Sequence, residues 1–190
     1  MIALSIVAIG VSLYSVARGR QLANNLSLRG SYEERFPYIA DDVILSPEQI
    51  RVVEVLRAEF ATRPAGTKYS EGVAEPWCAD FVSWVMKEAG MPFVNPNSGG
   101  WRIPGTMTLR DYFQQNGNWH PYGDGYVPKT GDVAIYDGNG PHGQHANFVV
   151  LYSDGTLSTV GGNEAGTIHA QQHSLNDELK VIGFGELKNG

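Results

Sequence analysis

Residues 76–89, PWCADFVSWVMKEA, are the stretch that decides the fold. Pro76 pre-sets the backbone for entry into a helix, and Gly90 with Pro92 stops it. The apolar residues between these ends recur at helical spacing and form one stripe, made of Phe81, Val82, Val85, Met86 and Ala89. The stretch therefore predicts a helix over residues 76–89 whose apolar face packs against a core.

The one cysteine of the chain, Cys78, lies in the first turn of this predicted helix. Unpaired backbone N–H groups and the positive end of the helix dipole favour a thiolate there, which is the form that attacks carbonyl groups. A cysteine that only fills a core is expected further along the stripe, at a position such as Val82 or Val85. The spacing leaves both roles open, a nucleophile and a small buried hydrophobe. A lone cysteine also excludes an internal disulfide.

The flanking sequence predicts helices first and strands afterwards. Ser46, Pro47 and Gln49 form a capping-box pattern, which predicts a helix over residues 47–62, and a short helix is expected at 108–115. From Gly131 onward, apolar residues recur at every second position instead of at helical spacing. This period predicts strands at 132–136, 146–152, 157–160 and 181–187, with turns at Asp137-Gly138, Asp154-Gly155 and Gly161-Gly162. The order indicates an α+β fold with N-terminal helices packed on an antiparallel sheet.

His145 is the candidate general base. It opens the strand-like run that follows residue 144, where an imidazole can face a helix N-terminus packed against the sheet. His142 is the alternative base, although it lies in a Gly/Pro loop. A third group should hold the imidazole, and Asn163 or Glu164 could reach it. Asn163 could equally be a turn residue with a left-handed backbone.

Charge and residue types limit the classes of ligand that the protein is expected to bind. The net charge is −6 and no stripe of Lys and Arg is present, so nucleic-acid binding has no electrostatic basis. His142 and His145 lack a third ligand cluster at suitable spacing, so no metal is expected, and no cofactor is expected either. A monomer is predicted.

Residues 1–17 differ from the rest of the chain because residues 2–17 carry no charged side chain. This run predicts a signal peptide or an N-terminal membrane anchor, with a buried core helix as the alternative. Arg18 and Arg20 follow it, an arrangement that the positive-inside rule associates with a cytoplasmic C-terminal part. Residues 18–45 read as a linker, and residues 46–190 as the folded domain.

Four segments together resemble the CHAP family, the cysteine, histidine-dependent amidohydrolases/peptidases of the papain-like clan. They are the run around Cys78 (EPWCADFVSWV, residues 75–85), GDVAIY at 131–136, HANFVV at 145–150 and VGGN at 160–163. The resemblance implies a papain-like fold and hydrolysis of amide bonds in peptidoglycan, as an N-acetylmuramoyl-L-alanine amidase or an endopeptidase. It implies a Cys78–His145–Asn163 arrangement and a location secreted or anchored facing the wall or periplasm.

The chain departs from the family pattern at two places. Many members carry Glu where Gly161 stands, so the orienting role falls to Asn163, with Glu164 as a substitute. Some relatives bind calcium through an acidic run before the cysteine. In this chain the segment before Cys78, residues 69–77, has only Glu71 and Glu75 as acidic side chains, so calcium is not expected.

Aromatic residues are the candidates for substrate contact. Trp77, Trp101 and Trp119 are expected to line a groove for glycan or stem peptide, with Tyr112 nearby, and core packing is the alternative for each. A non-catalytic wall-binding or scaffold protein and an acyl or peptidyl transferase are the rival functions.

Overall fold

The computed structural model describes residues 31–188. Within them lie the helices α1 Pro47–Thr62, α2 Cys78–Glu88 and α3 Thr106–Gln115, with a 3-10 turn at Gly66–Lys68. The strands are β1 Ser31–Glu33, β2 Trp119–Pro121, β3 Val133–Tyr136, β4 His145–Ser153, β5 Thr156–Glu164, β6 Thr167–Ser174 and β7 Val181–Gly185. They form one sheet in the order β1-β6-β5-β4-β3-β7-β2, and the pairings among β2 to β7 are antiparallel. The predicted α+β fold is confirmed.

Helix α1 begins and ends where its sequence predicts. The Ser46 hydroxyl accepts the Gln49 N–H at 3.2 Å, and the Gln49 side chain accepts the Ser46 N–H at 2.8 Å. This reciprocal pair satisfies two of the N–H groups that a helix start leaves unpaired. Arg63, with a left-handed φ of 43°, ends the helix.

Helix α2 packs on β4 and β5 and carries the centre of the core. Its residues Phe81, Val82 and Val85 are fully buried, as the apolar stripe predicts. The helix begins at Cys78, two residues after the predicted start, because Trp77 has the non-helical φ of −117° and ψ of 19° of a capping residue. Cys78 is therefore the first residue of the helix, closer to its positive end than the sequence indicates.

The turn expected at Gly161-Gly162 lies further along the chain. Strand β5 continues through both glycines to Glu164, and Ala165 and Gly166, with φ of 48° and 84°, form the two-residue hairpin turn. Gly162 has to be small because an added Cβ would lie 2.4 Å from the Trp77 ring. Gly162 thus marks a close approach of helix and strand rather than a turn.

Three strands have no counterpart in the sequence prediction. Strands β1 and β2 are three residues long, too short for an alternating pattern to be recognised. Strand β6, TIHAQQHS, buries the polar side chains of Gln171 and His173 on one face and Ile168 and Ala170 on the other, so its apolar residues do not stand out as an alternating pattern. Periodicity based on hydrophobicity does not detect such a strand.

The compact unit that holds the site begins at Tyr32. In the segment before α1, Phe36 and Ile39 pack against the core, whereas Tyr38 and Ile44 are exposed. The signal peptide or anchor expected at 1–17 lies outside the described residues. Across residues 31–188, no helix combines the length and apolar character needed to cross a membrane.

Candidate active site

Cys78 lies at the N-terminus of α2 and is 5% exposed. The carbonyl of Trp77 accepts the N–H of Phe81 at 2.9 Å, so the helical bonds begin there. The Cys78 N–H belongs to the first turn, where an α-helix provides no internal acceptor. The helix start thus places a sulfur and a backbone donor side by side.

His145 is the first residue of β4 and pairs with Tyr136 of β3. Its side chain has Cys78 as a hydrogen-bonding and electrostatic partner. The fold therefore brings together two residues that are 67 positions apart (145 − 78). Of the two candidate bases, only His145 has Cys78 among the groups that change its pKa.

Glu164 joins Cys78 and His145 as the third residue of this group. Its Oε1 lies 2.8 Å from His145 Nε2, and both side chains are nearly fully buried. Because Nε2 is engaged by the carboxylate, Nδ1 is the ring nitrogen left for the sulfur. The sequence analysis gave this position to Asn163 with Glu164 as the substitute, and the side chain that contacts His145 is that of Glu164.

A β-bulge explains why Glu164 rather than Asn163 contacts His145. Gly161 pairs with His169 and Glu164 with Thr167, so a step of three residues in β5 faces a step of two in β6. The extra residue reverses the alternation of side chains, which places Glu164 on the face of the sheet that holds His145. Asn163 has a φ of 62° within the bulge, which is the turn-like role that its residue type allows.

The electrostatics of the group favour an ion pair. Burial by itself lowers the pKa of His145, but hydrogen bonds to Cys78 and Glu164, together with their negative charge, raise the pKa to about 10. Burial works against ionisation of Glu164, yet His145 and Asn147 hold the pKa of Glu164 below its usual value. A protonated imidazole beside the ionised Glu164 carboxylate is therefore the favoured state at neutral pH.

Further side chains hold Glu164 in place. Asn147 Nδ2 donates to its Oε1 at 2.9 Å, and Gln171 Nε2 donates to its Oε2 at 2.8 Å. Gly161 makes room for this arrangement, because an added Cβ would lie 1.8 Å from Asn147 Oδ1. Glycine at position 161, where many family members carry Glu, thus leaves the space that Asn147 needs to contact Glu164.

His142 lies beside this group without joining it. Its ring is stacked 6.0 Å from the His145 ring and packs 4.7 Å from Tyr136. Burial lowers the pKa of His142 to about 4, so the ring is neutral at neutral pH. Among the described residues its Nε2 has no hydrogen-bond partner.

Ion pairs order the segment that leads into Cys78, and the sequence analysis did not identify them. Arg102 lies 2.7 Å from Glu75, 3.0 Å from Asp80 and 3.5 Å from Glu71. Burial raises the pKa of the fully buried Asp80 to about 6, although Arg102 counteracts this. Arg102 thereby joins the first turn of α2 to the preceding loop. Within residues 31–188, no group of three or more His, Cys, Asp and Glu side chains is placed to bind a metal ion.

The three tryptophans expected to contact substrate lie in different surroundings. Trp77 is 6% exposed and stacks on Tyr69 at 5.2 Å, so it is a core residue rather than the wall of an open groove. Trp101 lies next to Lys87, near the opposite end of α2 from Cys78, with the ammonium 4.9 Å from its ring. Trp119 covers Gly183 of β7 and packs against the core. The fold does not gather these rings around Cys78.

A cavity of about 260 Å³ lies beside the C-terminal half of α2. Met86, Met91, Phe93 and Phe113 contribute its apolar lining. Neither Cys78 nor the three tryptophans line it. The cavity is therefore separate from the candidate active site.

The helices and the antiparallel sheet form an α+β fold in which a cysteine at a helix start lies near a histidine at a strand start. The sequence matches the CHAP domain family over residues 68–163, which is half of the chain. The chain belongs to the CHAP family.

Two solved structures are similar to this chain at low sequence identity. "The crystal structure of Ly7917" matches with a TM-score of 0.45 and 17% identity, covering 72% of this chain and 61% of that one. "The crystal structure of Ly7917 with the hydrolyzing product of MDP" gives a TM-score of 0.42 and 18% identity, with the same coverage. The chain thus spans less than two thirds of that protein. Comparison with curated proteins gave no match.

Proposed function

We propose that the protein is a peptidoglycan hydrolase that cleaves amide bonds in cell-wall peptides, with Cys78 as nucleophile, His145 as acid and base, and Glu164 as the orienting group. One observation carries the proposal: the sulfur at a helix start meets an imidazole whose other nitrogen is 2.8 Å from a buried carboxylate. Membership of the CHAP family supports the substrate class.

The first half of the reaction uses the thiolate and the imidazolium. The Cys78 sulfur attacks the amide carbonyl carbon, and the Cys78 N–H at the helix start donates to the developing oxyanion. The C–N bond breaks as His145 gives its proton to the leaving amine. A thioester and a neutral imidazole remain.

The second half regenerates the enzyme. His145 takes a proton from water while the water oxygen attacks the thioester carbonyl, which releases the carboxylic acid and restores the thiolate–imidazolium pair. Glu164 keeps the proton of Nε2 on the side away from the sulfur, so that Nδ1 is free to exchange protons with the substrate.

Peptidoglycan lies outside the cytoplasm, so this function requires export. We propose that residues 2–17 act as the signal peptide or membrane anchor and that the domain faces the wall or the periplasm. The absence of charge over these sixteen residues (17 − 1) supports the proposal.

Replacing the nucleophile tests the function. Cys78→Ala should abolish the release of soluble fragments from purified peptidoglycan, while the circular dichroism spectrum stays that of the wild type. Wild-type protein that releases no fragments would contradict the hydrolase function, and wild-type rates in the variant would contradict the nucleophile. Mass spectrometry of the products identifies the bond that is cut, and products that carry an added amine acceptor would indicate acyl transfer instead.

A further inference from the structure

A chain of hydrogen bonds continues from Glu164 into strand β6. Gln171 Nε2 donates to Glu164 Oε2 at 2.8 Å, and Gln171 Oε1 lies 2.7 Å from His173 Nε2. Glu164, Gln171 and His173 are 5%, 3% and 7% exposed. The proposed function uses only the first of these three residues.

The register of the sheet places these side chains on one face. Gln171 pairs with Thr159 and His173 with Leu157, two positions apart, so both side chains project from the same side of β6. The bulge before Glu164 turns its carboxylate to that side as well. The contact between Gln171 and Glu164 thus depends on the same irregularity that gives Glu164 its place beside His145.

The chemistry of the amide fixes the direction of each bond. A carboxylate accepts only, so Gln171 has to present its NH2 group to Glu164. Its oxygen then accepts the N–H of His173, which prevents the amide from turning its oxygen toward the carboxylate. Burial lowers the pKa of His173, so the ring is a neutral donor with its proton on Nε2.

We propose that Gln171 is a positioning residue for the proposed reaction, holding Glu164 ionised and aimed at His145, and that His173 fixes the orientation of the Gln171 amide. This inference rests on the proposed function. Without Gln171, the Glu164 carboxylate would lose one of the hydrogen bonds that fix it against His145, and the pKa of His145 would fall because the contact between the two charges loosens. The other groups that face His145 are Cys78 from α2, Tyr136 from β3 and His142 from the loop before β4.

Gln171→Met tests the inference, because it keeps the length of the side chain and removes both polar ends. The measurement is the NMR titration of the His145 ring in the full chain. We expect its midpoint to move about 0.5–1 pH unit lower, the equivalent of one hydrogen bond. The matched control is Gln172→Met at the neighbouring exposed position of the same strand, which should leave the midpoint where it is in the wild type.

A second variant keeps the test valid if Gln171→Met does not fold. His173→Met removes only the donor to the Gln171 oxygen, so a smaller shift in the same direction is expected. An unchanged His145 midpoint in a folded Gln171→Met protein overturns the role of Gln171. An unchanged midpoint in His173→Met overturns the role of His173.

Alkylation of Cys78 separates this inference from the proposed function. Iodoacetamide should label wild-type Cys78 at pH 7 faster than it labels the same residue in unfolded protein. Slower labelling in the native state would argue against the nucleophile itself. Fast labelling combined with an unchanged His145 titration in Gln171→Met would refute only the positioning role.

Discussion

Glu164→Gln is the substitution that most directly tests the candidate site. It keeps the shape of the side chain and removes the negative charge that lies 2.8 Å from His145 Nε2. The glutamine oxygen can still accept from His145, but the bond is no longer charge-assisted. The change therefore isolates the electrostatic contribution of the third residue.

The size of the effect follows from that contact. A hydrogen bond to a charged group contributes about 1.5–3 kcal/mol, so the rate of wall hydrolysis should fall by about 10- to 150-fold. The pKa of His145, about 10 in the native protein, should also fall, because an adjacent opposite charge changes such values by about 1–3 units. Deprotonation of the imidazolium removes the acid that protonates the leaving amine. The alkaline limb of the pH–rate profile should therefore move to lower pH by about 1–3 units.

The assay is the initial rate of fragment release from purified peptidoglycan between pH 6 and 11. Asn163→Gly is the matched control, because glycine adopts the φ of 62° without strain and its rate should stay within about twofold of wild type. A large loss of rate in Asn163→Gly together with a wild-type pH profile in Glu164→Gln would refute the assignment and return the role to Asn163.

Two more substitutions test the surroundings of the site. Gly161→Ala should reduce the hydrolysis rate, because its Cβ would lie 1.8 Å from Asn147 Oδ1 and displace the amide that holds the Glu164 carboxylate. Gly100→Ala, whose Cβ meets only a serine hydroxyl at 3.5 Å, should leave the rate unchanged. Arg102→Met should lower the free energy of unfolding in urea by up to about 3–5 kcal/mol, because it leaves the buried Asp80 carboxylate without its cation.

A single result would contradict the expectation for Gly161→Ala or for Arg102→Met. Wild-type hydrolysis in Gly161→Ala would mean that the strand can shift without disturbing the carboxylate. For the ion pair, Arg110→Met is the control, since its partner Asp111 is on the surface and the loss should be below about 1 kcal/mol. Equal losses in the two arginine variants would show that burial of Asp80 adds nothing.

The sequence by itself determined the features that depend only on residues close together along the chain. The bounds of α1 follow from the Ser46 capping box, and the stripe of α2 follows from helical spacing. Cys78 and His145 could be selected because each begins an element, and ends of elements are where side chains from different parts of a fold can meet. The substrate class, the monomeric state and export remain predictions.

Only the tertiary structure decided which residue faces His145. An alternation pattern cannot show a bulge, and the bulge after Gly161 exchanges the places of Asn163 and Glu164. Trp77 was expected in a groove but is buried, because Gly162 of β5 lets the helix start approach the sheet closely. Strand β6 escaped prediction because Gln171 and His173 are polar yet buried, and Gln171 finds its partner Glu164 only when folding brings β5 alongside.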